Sequence, residues 1–247
     1  MSIAISLKPH ILKTDYAKIP SISVFSPLQH LSNKASHKVY QAKHALYSSG
    51  DTFKGLYFLR SGSAKASIIS KQGQELLTDF FLPGDLMGTD GFNQNIHTQN
   101  IRFLETSSVL CLSATEVKEL LANSEEFRCD LLNRMSQSMM REQHMLLTYS
   151  CSSSEQRVAK FFLQLSERFD ALGCSAFAFL LSMTRTDIAN YLGMAIETLS
   201  RLLTQFQQEQ ILKINHRYIE ISNKQKLEIK AGLRGDIEQI PTNCVFQ

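Results

Sequence analysis

The chain has 247 residues, with 43% hydrophobic and 20% charged positions. That composition suits one large or two ordinary folded domains and excludes wholesale disorder. Net charge is only +3, and no segment is a basic block, so a nucleic-acid partner has to be argued from a motif.

No run of apolar residues is long enough to span a membrane, and no membrane partner is expected. Residues 1–20 carry Lys8, His10, Lys13, Asp15 and Lys18 without an apolar core, so they do not read as a signal peptide and a cytoplasmic location is expected. The cysteines are Cys111, Cys129, Cys151, Cys174 and Cys244, with no CxxC pair. Ordinary reduced thiols are expected, with no local anchor for a metal.

Residues 1–24 show no clear period and read as an N-terminal arm. Over 25–123 the texture is β. Short runs at 55–59, 67–69, 76–81 and 109–112 alternate with turn signals such as Ser49-Gly50-Asp51, Ser61-Gly62, Gln72-Gly73 and Pro83-Gly84-Asp85. Short strands with turns at that spacing indicate a barrel, roll or sandwich.

Ser113-Ala114-Thr115-Glu116 is a capping box that opens a helical stretch. From 124 to 151 a helix without Pro or Gly is expected. Leu132, Met135, Met139, Glu142, Leu146 and Tyr149 follow 3-4 spacing, which is a heptad seam and predicts pairing with a second copy. Glu142 at the seam would face its own copy, with Arg141 or His144 as neighbours able to relieve it.

Ser152-Ser153-Ser154-Glu155 reads as a second capping box and marks a domain boundary, with the last domain over 152–225 and a tail over 226–247. Val158, Phe161, Phe162 and Leu165 line one helical face. A strand is expected at 177–181, and Thr184 is placed to cap a helix through Asp187.

Within 185–204, Ile188 and Leu192 sit i, i+4 on one helix, and Leu199 and Leu202 i, i+3 on the next. Ala189 is small where the helices cross, and Gly193 stands at the turn, where positive φ is needed. This is a helix-turn-helix, and two alternating runs around Asn215-His216 add a hairpin behind it.

The second helix of such a motif enters the DNA major groove. Glu197, Ser200 and Arg201 share one face of it and suit base edges: Arg donates twice to guanine, Glu accepts from cytosine, and Ser adapts. Arg217, near the hairpin tip, is a candidate phosphate contact. Ala195 opens the helix where Ser, Thr or Asp would cap.

The whole pattern resembles the CRP/FNR transcription regulators. It is carried by Gly50-Asp51, Leu56-Tyr57-Phe58-Leu59-Arg60-Ser61-Gly62, Pro83-Gly84-Asp85-Leu86, Met183-Thr184-Arg185, Asn190-Tyr191-Leu192-Gly193 and Glu197-Thr198-Leu199-Ser200-Arg201-Leu202-Leu203. The resemblance spans roughly residues 20–222 and lies nearer the FNR branch.

It implies an α+β architecture: an N-terminal β-roll like a cyclic-nucleotide-binding domain, a long dimerisation helix and a C-terminal winged helix-turn-helix. It implies a homodimer that regulates transcription from double-stranded DNA and contacts RNA polymerase. Arg185, Thr186 and Ile196 join the DNA-binding set, and the implied half-site is TTGAT-like, in inverted repeat. No enzyme motif is present. The alternative reading is a cyclic-nucleotide-type regulatory module with a small-molecule ligand and no direct role on DNA.

The departures bear on cofactors. The resemblance would imply an iron–sulfur cluster on four cysteines, most near the N-terminus, yet residues 1–110 contain none. Cys111 stands one position from the expected β-roll ligand, with Leu110 in its place, and a one-residue shift turns a strand side chain to the other face. For a cyclic nucleotide, Thr89 replaces the Glu that would hold the ribose, and no Arg lies between Met87 and Ile101. The histidines His30, His37, His44 and His97, in polar surroundings, show no paired pattern for haem. No cofactor is expected.

Overall fold

The computed structural model describes residues 36–233. The expected arm, the first residues of the expected roll and most of the expected tail lie outside the described residues.

The first domain is built from two antiparallel sheets. One has the order β1 (Ser36–Tyr40), β8 (Ser107–Ser113), β3 (Gly55–Ser61), β6 (Leu86–Met87); the other has β2 (Ala45–Tyr47), β7 (Asn100–Phe103), β4 (Ala64–Ile69), β5 (Glu75–Phe81). Alternation assigns the faces. Leu59, Val109 and Cys111 from the first sheet meet Ala64, Ala66, Ile101 and Phe103 from the second in the roll interior. Leu56, Phe58, Leu110 and Leu112 point the other way, onto Val117 of α1 (Ala114–Asn123) and Phe127 and Leu131 of α2 (Glu125–Cys151). Leu110 and Cys111 thus face opposite sides of one strand, as a period of 2 requires. Gly55 has φ +142, and a Cβ there would lie 1.8 Å from the Leu112 carbonyl oxygen, so close pairing of β3 with β8 depends on glycine.

The box at Ser113 and Glu116 forms as expected, and α2 runs 27 residues behind a Ser124 cap. The second box is shifted by one residue. Ser153 and Gln156, not Ser152 and Glu155, cap α3 (Ser154–Ala171). The reason is local competition: Ser152 already closes α2, its N–H on the Thr148 carbonyl, and Glu155 pairs with Lys230 at 2.7 Å.

The C-terminal domain follows as α3, β9 (Ala178–Leu180), α4 (Arg185–Tyr191), α5 (Ile196–Gln208), β10 (Leu212–Asn215), β11 (Tyr218–Ile221) and α6 (Lys224–Lys230). The expected tail begins instead as this last helix, capped by Asn223, with Leu227 fully buried against the domain core. Residues 224–233 therefore belong to the domain, and the boundary expected at 225 cuts through α6. Lys230 ties it to Glu155 of α3 at 2.7 Å and to Glu209 at 3.0 Å.

The two domains share a packed junction. Leu77, Phe80 and Leu82, from β5 and its end, enter the core of the C-terminal domain. Strand β5 is a sheet edge, which leaves backbone groups unpaired. The Asn190 amide of α4 covers them: the Leu77 N–H donates to its Oδ1 at 2.8 Å, and its Nδ2 donates to the Glu75 carbonyl at 2.8 Å. Lys65 of β4 reaches Asp187 of α4 at 2.7 Å. Arg168 of α3 donates to the Phe80 carbonyl at 2.9 Å and pairs with Asp85.

Candidate nucleic-acid interface

Helix α4 starts on a full capping box. Thr184 accepts from the Asp187 N–H, and the Asp187 carboxylate accepts from the Thr184 N–H. Burial alone would raise the Asp187 pKa, but hydrogen bonds from Lys65 and Thr184 outweigh it and hold the carboxyl below its ordinary value.

At the corner, Gly193 takes φ +59, and the Met194 N–H returns to the Ala189 carbonyl at 3.0 Å. Ile188, Ala189, Leu192, Leu199 and Leu202 are all buried. These are the residues whose spacing announced the motif. Arg157 of α3 braces the turn from outside, donating to the Leu192 carbonyl at 2.9 Å and the Gly193 carbonyl at 3.3 Å. The carbonyl of Leu192, the C-cap of α4, and that of Gly193 in the turn beyond it are satisfied this way. No local signal marks that role, because 35 residues separate donor and acceptor.

Helix α5 buries Leu199, Leu202, Leu203 and Phe206. Its other face carries Ile196, Glu197 and Arg201 exposed and Ser200 half-buried. Arg185 and Thr186 at the start of α4 are exposed, as is Arg217. Arg217 sits in the two-residue turn between β10 and β11, beside His216 at φ +54. The sequence-derived DNA set thus lies on the protein surface around one motif. Ala195 is the N-cap of α5 in extended conformation, with no side-chain cap bond.

The seam residues of α2 divide. Leu132, Met139 and Leu146 are exposed by 65%, 60% and 66%, high for large apolar side chains on a helix. Glu142 is also exposed. Met135 packs on the cluster beneath α1 and α2. Tyr149 turns to the C-terminal domain, its ring 5.9 Å from the Arg157 guanidinium. Arg141, one of the neighbours considered for Glu142, points to Asp79 instead.

Between the roll and α2 lies a cavity of about 370 Å³. Its lining includes the carboxylates of Asp79, Asp90 and Glu142 and no Lys or Arg. Asp90 is fully engaged. It accepts from the Tyr47 hydroxyl at 3.0 Å, His97 Nδ1 at 3.1 Å, the Thr98 N–H at 2.8 Å and the Gln99 N–H at 3.2 Å. His97 stacks on Tyr47 with ring centroids 3.6 Å apart. It is buried, not in the polar surroundings its neighbours in sequence suggest, because the Tyr47 and Phe53 rings close over it.

Comparison with known proteins matches this architecture in both halves. Residues 37–124 match the cyclic nucleotide-binding domain, and residues 156–229 match the Crp-like helix-turn-helix domain. The chain is 38% identical to Electron transport regulator A of Shewanella oneidensis over 195 residues, 79% of this chain and 78% of that one. It is 39% identical to the Fumarate and nitrate reduction regulatory protein of Yersinia pestis, with the same coverage.

The chain belongs to the CRP/FNR family. It is a transcription regulator with a helix-turn-helix DNA-binding domain. Among solved structures, FixK2 from Bradyrhizobium japonicum superposes with a TM-score of 0.73 at 23% identity, over 79% of this chain and 96% of that one, a likeness of fold. No helix among the described residues is long and apolar enough to cross a membrane.

Two ligands implied by CRP/FNR relationships do not fit these residues. A cyclic phosphate needs a cation or free N–H groups. Here the Thr98 and Gln99 N–H groups already serve the Asp90 carboxylate, and the charged side chains lining the cavity are all carboxylates. A four-cysteine cluster needs converging thiolates. Cys111 is buried inside the roll. Cys129 and Cys151 lie 22 residues apart on α2, roughly 33 Å along a helix axis. Cys244 lies outside the described residues.

Proposed function

We propose that this CRP/FNR regulator acts as a homodimer on an inverted repeat of TTGAT-like half-sites. The observation that carries the reading is the division of α5. One face is buried in the domain, and the other presents Glu197 and Arg201 to solvent with the half-buried Ser200 beside them. In the major groove Arg201 contacts the guanine of the half-site, Glu197 accepts from a cytosine N4, and Ile196 packs on a thymine methyl. Arg185, Thr186 and Arg217 serve the phosphates and set register.

The exposed Leu132, Met139 and Leu146 support pairing of two α2 helices with the exposed Glu142 beside them, while Met135 and Tyr149 of the same heptad pattern pack within the protomer. The two recognition helices then meet successive major grooves about one helical turn apart. Contact with RNA polymerase and a cytoplasmic location complete the reading and rest on family membership. The relatives named above are called regulators of electron transport and of fumarate and nitrate reduction. Regulation of transcription carries over from them. The four-cysteine cluster that the family resemblance implies does not, because the donor set differs.

The test is binding of Arg201→Ala and Arg217→Ala to DNA carrying each of the four bases at the guanine position. Arg201→Ala is expected to cost about 1–3 kcal/mol per half-site and to relax preference at that base pair alone. Arg217→Ala is expected to weaken all four sites alike and flatten the salt dependence. Equal weakening of all four sites by Arg201→Ala would show that Arg201 is only a phosphate anchor.

A further inference from the structure

A second cavity, of about 380 Å³, lies where α2, α3 and α4 meet; it adjoins the roll cavity, with which it shares Asp79, Met145 and Tyr149. Four of its side chains are cationic at neutral pH, against the two carboxylates of Asp79 and Glu167, and two of the four are committed to the protein. Arg157 donates to the Leu192 and Gly193 carbonyls. Arg168 donates to the Phe80 carbonyl and pairs with Asp85.

The other two retain donors. Arg141 Nε is buried without a hydrogen-bond partner. Its nearest carboxylate oxygen, on Asp79, is 3.6 Å away, beyond hydrogen-bond length. Burial pushes the Asp79 pKa up, while Arg168 and Arg141 pull it down, and its carboxylate lies between the two guanidinium groups without a hydrogen bond to Arg141 Nε. Lys160 spends one N–H on the Ser152 hydroxyl at 2.9 Å and keeps the rest.

Tyr149 lines the same cavity, and its hydroxyl is also buried without a partner. Buried donors left without acceptors are rare in folded proteins and call for a physical account. Here two of them belong to residues on different turns of α2 that line one space. Met140, Met145 and Phe161 supply apolar wall.

We propose that this junction cavity is a binding site for a small organic anion: a carboxylate or phosphate accepting from Arg141, Tyr149 and Lys160, on an apolar body packed against Met140, Met145 and Phe161. Such a ligand bridges the long helix to α3 and to the first helix of the helix-turn-helix. Its binding and DNA binding are then thermodynamically linked. The proposal itself concerns the site and is tested without DNA.

The experiment is isothermal titration of the full-length protein with benzoate, phenyl phosphate, inorganic phosphate and neutral benzyl alcohol. At least one of the two aromatic anions is expected to bind saturably, and which one decides between carboxylate and phosphate. Benzyl alcohol should bind about tenfold more weakly or worse, the loss of charge-assisted hydrogen bonds. Arg141→Gln and Tyr149→Phe should each weaken the anion by about tenfold, and Tyr149→Phe, which removes one oxygen, should leave thermal unfolding unchanged. Absence of saturable binding by both aromatic anions overturns the proposal, as does binding that survives both substitutions undiminished. Inorganic phosphate binding as tightly as phenyl phosphate also overturns it, since the apolar walls would then contribute nothing.

Discussion

Asp90 is the acceptor on which one end of the roll converges, and its removal has a calculable cost. Four donors share its two oxygens: the Tyr47 hydroxyl, His97 Nδ1 and the N–H groups of Thr98 and Gln99. In Asp90→Ala the two backbone donors lie near the surface and regain water. Tyr47 and His97 are exposed by only 7% and 1% and do not. Each buried donor left unpaired costs about 1–3 kcal/mol, so the two together give about 2–6 kcal/mol, with about 3 kcal/mol expected after local relaxation.

Asp90→Asn is milder. Its oxygen still accepts from the backbone, and its NH2 donates to Tyr47 or His97, each of which is able to accept instead. About 1 kcal/mol is expected. Urea unfolding at neutral pH measures both. A cost for Asp90→Ala within about 0.5 kcal/mol of zero, the range of ordinary surface substitutions, would refute the reasoning.

The pH dependence gives a second reading. Burial alone would raise the Asp90 pKa, but hydrogen bonds from His97 and Thr98 prevail and lower it. A depressed pKa means stabilisation present above the unfolded-state value and lost as pH falls through the folded one. Wild type should therefore lose stability more steeply on acidification than Asp90→Asn.

Three further outcomes are expected. Ala195→Ser supplies the missing cap of α5 in a backbone already extended for it and should raise stability by about 1 kcal/mol, read by urea unfolding; no gain would mean the α5 N-terminus is satisfied another way. Glu142→Ala should tighten the dimer, since in the proposed pairing like charges would meet at the seam and Arg141 is turned to Asp79; sedimentation showing an unchanged or weaker dimer would remove Glu142 from the seam. Protein purified without oxygen should carry neither iron nor sulfide in stoichiometric amount and should bind DNA in air, and metal and sulfide analysis with a gel shift decides it.

What the chain order alone determined is local. Gly193 at a positive-φ turn, the boxes at Ser113 and Thr184, the uncapped Ala195 and the 27-residue helix all depend on residues within a few positions of one another. Their physics is complete in the sequence. The opposed faces of Leu110 and Cys111 follow from strand period in the same way.

Competition and distance decided the rest. Ser153 displaced Ser152 as the cap of α3 because Ser152 was already closing the preceding helix. Helix α6 is not legible in the sequence because two turns with one fully buried leucine carry little periodic signal; its place comes from Glu155 and Glu209 meeting Lys230. The cover of edge strand β5 by Asn190 joins residues 113 positions apart, and the Tyr47–Asp90 bond joins residues 43 apart. Whether a polar side chain is a solvated surface group or the sole partner of a buried one depends on what the fold brings opposite it. No spacing rule along the chain carries that information, and so the junction cavity and its two unpaired donors became visible only in the tertiary structure.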